Sequence, residues 1–318
     1  MPPLLTAAIA VLAVPVVLVG YILLTEVVVQ RVPRRLSTRV RPWLWLLPAL
    51  LFVGVFLIYP TISTTIRSFF GRRGDTFVGF DNYISFFSRD ETLIALRNNV
   101  IWMIVLPVAV VGLGLLVAIL VDRVRYESVA KAVIFLPMAI SGVAASVIWR
   151  FMFELNPNVG TLNAAVTAVG GEPQAWLLNQ PLNTFMLIIA AVWLQTGFAM
   201  VILSAGLKGI SAELLEAARV DGANEIQVFR NIVVPLLMPT IAVIATTMII
   251  FALKTFDLVY VMTGGLYETE VMANRMYKEL FNFNQPGRSA AIAVVLFIAI
   301  VPVMAMNIQR FRQQEAIR

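Results

Sequence analysis

Apolar runs of membrane-crossing length recur along this chain, parted by short polar segments. Residues 4–26, 44–66, 99–121, 132–153, 184–206, 237–259 and 289–309 each reach the roughly 20 residues a helix needs to cross a bilayer. Each is expected to be a helical span, which makes the chain an all-α polytopic membrane protein. One stretch breaks the rhythm. Residues 211–235, SAELLEAARVDGANEIQVFRNIVVP, are polar and lie between two spans. Ser211 is placed to cap a first helix, with Leu214, Leu215 and Ala218 on one side and Glu213, Glu216 and Arg219 on the other. Gly222 stands where that helix must stop and turn. Asn224 with Gln227 three positions later reads as a capping pair, and Ile226, Phe229 and Ile232 follow at helical spacing. Pro235 forbids simple continuation. The pattern predicts a compact helix–turn–helix with an exposed apolar strip, a shape suited to being gripped by another protein.

Composition agrees with the spans. The 318 residues are 60% hydrophobic and 13% charged, with a mean hydropathy of +0.87, whereas soluble domains carry about 25% charged residues. Cysteine and histidine are absent. Disulfides, thiolate or imidazole metal sites and histidine base catalysis are therefore excluded, and no catalytic or metal-binding set is expected. The net charge of +6 reads as basic cytoplasmic loops, not as a nucleic-acid surface. No basic residue precedes the 4–26 run and Arg31, Arg34, Arg35, Arg39 and Arg41 follow it, the reverse of a signal peptide. It is expected to be a retained span with its N-terminus outside. In that orientation fourteen basic residues fall inside and eight outside, so 211–235 and the C-terminus are expected in the cytoplasm.

Candidate chemistry is sparse. No phosphate-binding loop surrounds Lys131, Lys208, Lys254 or Lys278, so nucleotide hydrolysis would have to come from another polypeptide. Lys254 and Asp257, three apart in the sixth run, have two open readings: they line a polar pathway, or they lie at the outer interface and pair. Trp193, Gln195, Thr196 and Phe198 mix rings and amides at mid-membrane depth. That set suits the apolar faces and hydroxyls of a sugar, and it equally suits interhelical packing. Arg150 and Glu154 read as an interfacial pair, and Asn98 and Asn99 as a helix cap. Glu216, on physics alone, is a solvated carboxylate.

The 211–235 stretch resembles the signature of integral-membrane permease subunits of binding-protein-dependent ABC importers. That pattern is EAA, three residues, Gly, nine residues, Ile, one residue, Leu, Pro. Here it reads Glu216-Ala217-Ala218, Gly222, Ile232, Val234-Pro235, with valine replacing leucine. FVGFDNYISFF at 77–87, RNNV at 97–100, FDLVYVMTGG at 256–265 and GRSAAIAVVLF at 287–297 are similar to the carbohydrate permeases, of maltose and glycerol-phosphate type. The resemblance covers residues 43–310. It implies a type I ABC importer transmembrane fold with a six-span core, to which 4–26 adds a span. It further implies a second homologous permease, a cytoplasmic ATPase dimer that binds ATP and Mg, and an external solute-binding protein delivering a sugar of α-glucoside-like disaccharide or oligosaccharide type. Glu216, Ala217, Ala218, Asp221, Gly222 and Pro235 would be ATPase-coupling residues. Trp193, Gln195, Phe198, Lys254 and Asp257 remain the substrate-pathway candidates. A glycerol-phosphate or polyamine importer subunit is the competing reading within the class. A secondary transporter is the rival outside it, disfavoured because the halves do not repeat.

Overall fold

The computed structural model describes residues 3–31 and 33–315, and they form two compact units, Met1–Ser63 and Thr64–Arg318. The first unit holds α1 (Pro3–Arg31), which contains the first apolar run, and α2 (Arg34–Val53). These two pack together through an ion pair of Arg41 with Glu26, 2.8 Å, and a hydrogen bond from the Tyr21 hydroxyl to the Leu44 carbonyl. A π turn, Gly54–Ile58, carries α2 into α3 (Tyr59–Arg67). The second unit continues with α4 (Asp81–Ser88), α5 (Asp90–Val121), α6 (Glu127–Phe135), α7 (Gly142–Met152), α8 (Thr161–Ala168) and α9 (Leu182–Lys208). Then come α10 (Ala212–Val220), α11 (Glu225–Val228), α12 (Val234–Leu253), α13 (Asp257–Met262), α14 (Met272–Tyr277) and α15 (Pro286–Glu315). Among the described residues no strand forms.

Among the described residues five helical stretches are long and apolar enough to cross a membrane: Leu36–Arg67, Asp90–Val121, Leu182–Lys208, Glu225–Leu253 and Pro286–Ala305. The expected continuous span at 132–153 is broken. Its chain bends by 100° between Glu127–Ala139 and Gly142–Met152. The reason is local: Pro137 sits in a 3₁₀ turn, Leu136–Ala139, Ile140 is extended, and the Ser141 hydroxyl caps a new helix by accepting from the Ala144 amide, 3.2 Å. The run at 237–259 also ends early. α12 stops at Leu253, and Lys254 to Phe256 turn the chain into α13. Conversely, Pro235 does not end a helix. A π turn, Phe229–Val233, directs the Val234 amide to the Phe229 carbonyl, so the prolyl nitrogen without a proton falls in the first turn of α12.

α9 is the axis of the second unit. More than half of its apolar window is buried (56%), against a third (33%) for α5, for Glu225–Leu253 and for α15. Lipid tails are as apolar as leucine, so helix association rests on close approach of small residues. Three glycines provide it. A Cβ on Gly114 of α5 would come within 2.6 Å of Ala199 Cβ on α9. One on Gly197 would meet the Ile134 carbonyl of α6 at 2.5 Å, and one on Gly206 would meet Leu237 of α12 at 2.8 Å. Around these crossings Trp102, Leu106, Leu187, Met200, Leu203 and Ile244 are buried.

Candidate functional site

The site has two parts, one at the C-terminal end of α9 and one beside its middle, at Leu194 and Gln195. At the C-terminal end, α10 and α11 form the predicted helix–turn–helix. Gly222 has φ +89°, a left-handed conformation that favours glycine. The Ala223 amide donates to the Ala218 carbonyl (3.0 Å) and the Gly222 amide to Arg219 (3.1 Å), closing a Schellman turn. Asn224 and Gln227 form the reciprocal capping box. Ser211 occupies the N-cap of α10 but its side chain makes no capping bond. Arg219 bridges the turn to Glu225 at 2.8 Å, and that carboxylate pushes the guanidinium pKa up.

The apolar strip is divided. Leu215, Ala218 and Ala223 turn inward onto Val228, Val233 and Leu237. Leu214, Val220 and Ile226 stay exposed, the last two almost fully (87% and 77%). Glu216, Ala217, Asp221, Gly222 and Pro235 are exposed as well. The base of the loop is tied by charge. Lys131 pairs with Asp122 (2.7 Å) and Glu127 (2.5 Å), and it donates to the Ser204 hydroxyl, which itself donates to Asp122 (2.7 Å). Glu127 also holds Lys208, so the ends of α5, α6 and α9 meet around two cations.

The second part is a cavity of about 550 Å³ beside the break between α6 and α7. Gln195, Lys254 and Asp257 all line it, with Ile140, Thr247 and Phe251. Lys254 and Asp257 make no ion pair among the described residues. Each is placed at a helix end instead. Lys254 caps the C-terminus of α12, where a cation is favoured. The Asp257 carboxylate lies over Gly142 at the N-terminus of α7, where an added Cβ would come within 2.8 Å of its Oδ2. Trp193 and Phe198 are not in the cavity wall. Both pack against the core, Trp193 edge-on to Trp149 at 5.9 Å. Thr196 donates to the Val192 carbonyl of its own helix.

Two further expectations change. Asn98 and Asn99 are no helix cap, because α5 begins at Asp90. Both are buried and clamp the segment before α14: Asn98 donates to the Glu268 and Glu270 carbonyls (2.6 and 2.8 Å), and Asn99 accepts from the Met272 amide (2.8 Å). Arg150 and Glu154 do not pair. Both are exposed, and among the described residues the Glu154 carboxylate accepts from the Leu155 amide at 3.2 Å and from no arginine. The break at Ile140–Ser141 and the cavity residues Thr247 and Phe251 escaped sequence reasoning. The Pro137 and Ser141-Gly142 pair inside an apolar run was the available signal.

A helical bundle with a broken span around a polar cavity, and a rigid polar loop exposed at one end, defines a membrane translocation subunit. The chain belongs to the family of binding-protein-dependent transport system inner membrane components, whose pattern matches residues 97–314. It is a multi-pass permease subunit of an ABC importer. It is 50% identical, over 86% of this chain and all of the relative, to the osmoprotective compounds uptake permease protein GgtC of Synechocystis sp.. The α-glucoside transport system permease protein AglF of Rhizobium meliloti is 45% identical, over 86% of this chain and 83% of that one. A crystal structure of a bacterial ABC transporter importing the acidic polysaccharide alginate shares the fold, with a TM-score of 0.72, 22% identity and coverage of 87% and 98%.

Proposed function

We propose that this permease carries a neutral saccharide of the α-glucoside class, through the cavity lined by Gln195, Lys254 and Asp257. The observation that carries this reading is the 45% identity to an α-glucoside permease across nearly the whole core. The cavity chemistry supports it. Gln195 and Thr247 offer hydrogen bonds, Phe251 a ring face, and Lys254 and Asp257 one charge of each sign. A phosphate ester would be served by excess positive charge and a polyamine by excess negative charge, and this wall carries neither.

In this reading a second homologous permease completes the pathway and an external solute-binding protein delivers the sugar. An ATPase dimer, holding ATP and Mg, docks on α10 through Glu216, Ala217, Ala218, Asp221 and Gly222, with Val220 and Ile226 as the apolar contacts. Pro235 marks where the loop enters α12. The 211–235 loop and the C-terminus then face the cytoplasm and the N-terminus lies outside. Closure of the ATPases moves α10, whose rigid turn passes the displacement to α9 and α12, the helices that bear Gln195 and Lys254. The break between α6 and α7 lets the cavity wall re-form without bending a continuous helix.

The test is reconstitution of the chain with its partner permease, ATPase and binding protein in liposomes, followed by uptake of labelled maltose. ATP-dependent uptake is expected, reduced about tenfold by Gln195→Leu through loss of a hydrogen bond to substrate. Uptake driven by an ion gradient without ATP, or wild-type kinetics in Gln195→Leu, would overturn the assignment.

A further inference from the structure

A second cavity, of about 460 Å³, is walled by the end of α7, by residues 175–178 ahead of α9 and by α13 with the loop that follows it. Its wall includes Arg150, Glu154, Trp176, Tyr260, Gly264 and Tyr267. The short helix α13 separates the two spaces. Phe256, Asp257 and Leu258 face the inner cavity, while Tyr260, Val261 and Met262 face the outer. Six helical residues span about 9 Å, so the cavities are near neighbours.

The outer wall is built, not left over. Gly264, Gly265, Tyr267 and Glu268 all have positive φ, between 54° and 75°. Two are not glycine, and such a conformation persists only where surrounding structure enforces it. Here the enforcement is explicit. Asn183 donates to the Tyr267 carbonyl (2.7 Å), Asn98 to that of Glu268 (2.6 Å), and the Thr263 and Thr269 hydroxyls bond at 2.6 Å. Gly265 lies so close to Asn274 that a Cβ would come within 2.6 Å of its Nδ2. Buried Glu270 holds both Asn274 and Lys278, the latter at 2.6 Å. Polar side chains from α5, α9 and α14 thus fix one strained loop against one cavity. Across it, the Trp176 indole is pinned by its N–H to Asn163 Oδ1 (3.1 Å), leaving its ring at the wall. Arg150 and Glu154 bring one charge of each sign and no mutual ion pair.

We propose that this outer cavity is a second saccharide site, a vestibule that holds the sugar before it passes α13 into the inner cavity. The inference rests on the carbohydrate reading above. Trp176 and Tyr267 offer ring faces to the C–H faces of a pyranose. Arg150 donates to its hydroxyls and Glu154 accepts from them. The fixed loop keeps Tyr267 in place and Asn163 keeps Trp176 in place before the ligand arrives, which lowers the ordering entropy lost on binding.

The experiment uses the reconstituted full complex, labelled maltose and a titration of maltose-loaded binding protein. The variants are Arg150→Ala, which removes a side chain the fold does not use, and Tyr267→Asn, which tolerates positive φ. Both should lower the maximal uptake rate, by about tenfold for the charged group, while the binding-protein concentration at half-maximal uptake stays within about twofold. A maltose-dependent tryptophan fluorescence change in the nucleotide-free complex should be lost in Trp176→Phe and kept in Gln195→Leu. Wild-type maximal rates in both vestibule variants, with Gln195→Leu impaired, overturn the vestibule and leave the carbohydrate reading intact. A change confined to the half-saturating binding-protein concentration makes the cavity wall a docking face and overturns it too. A wild-type complex that takes up no maltose overturns both readings together.

Discussion

Gly222 and Glu216 show how differently single residues can matter within seven residues of chain. Gly222 has open space around it, so a larger side chain would meet nothing. Its constraint is φ +89° alone. Gly222→Ala should destabilise the turn by roughly 1–2 kcal/mol through the left-handed backbone, and faster amide exchange at residues 219–223 would show it. Gly222→Pro cannot adopt this φ at all. Glu216 is exposed and its side chain makes no hydrogen bond or ion pair among the described residues, so the fold does not require it. Glu216→Lys should leave insertion and thermal stability unchanged while abolishing the stimulation of ATP hydrolysis by loaded binding protein. Normal stimulation in Glu216→Lys would remove this residue from the coupling surface.

At the scale of elements, α9 shows why apolar sequence does not by itself specify packing. Its 27 residues are almost uniformly apolar, so no face is marked by hydropathy. The marks are small residues: Ala190, Ala191, Gly197, Ala199 and Gly206. Of the two α9 glycines, Gly197 is the one that crosses backbone closely, 2.5 Å from a Cβ position to the Ile134 carbonyl. A backbone atom cannot swing aside as a side chain can. Gly197→Ala should therefore destabilise the bundle by about 1–3 kcal/mol and lower the melting temperature of the detergent-solubilised protein, whereas Gly112→Ala, with nothing near its Cβ position, should leave it unchanged. Equal melting temperatures would mean that α6 and α9 shift apart freely. Charge fixes the same helix at its end. Lys208 of α9 pairs with Glu127 of α6 and Lys131 of α6 donates to Ser204 of α9, so the base of the 211–235 loop moves with its neighbours.

For the whole molecule, the telling pair is Asn98 and Asn99. Each lies on α5 and binds backbone about 170 residues later, between Glu268 and Met272. Asn99 also donates to the Ala252 carbonyl near the end of α12, at 3.3 Å. One side chain thus serves three elements. Asn99→Leu would strand the Met272 amide in a buried position, at about 1–3 kcal/mol for the unmet donor. Protease sensitivity of residues 263–272 should rise. Unchanged sensitivity and melting would show that the loop is held by its other contacts, to Asn98, Asn183 and Glu270.

Length and hydropathy of the runs were enough to determine that this chain crosses the membrane many times, because bilayer thickness fixes helix length. The spacing from Glu216 to Pro235 was enough to determine the loop, its glycine turn and its capping box, because caps and turns are local chemistry. Lys254, Asp257 and Gln195 were visible as polar residues in apolar runs, but not as neighbours. Their meeting depends on the 100° break after Ala139 and on the stop after Leu253, where helices end inside runs that hydropathy reads as unbroken. Trp193 and Phe198, equally plausible by residue type, are half-buried against the core and do not line that cavity. Rotation about the helix axis decides which side of a uniformly apolar helix faces a cavity, and that rotation is set by the glycine crossings of α9. The roles of Asn98, Asn99 and Glu270 lay beyond any local pattern, since their partners come from distant segments that only the tertiary structure brings together.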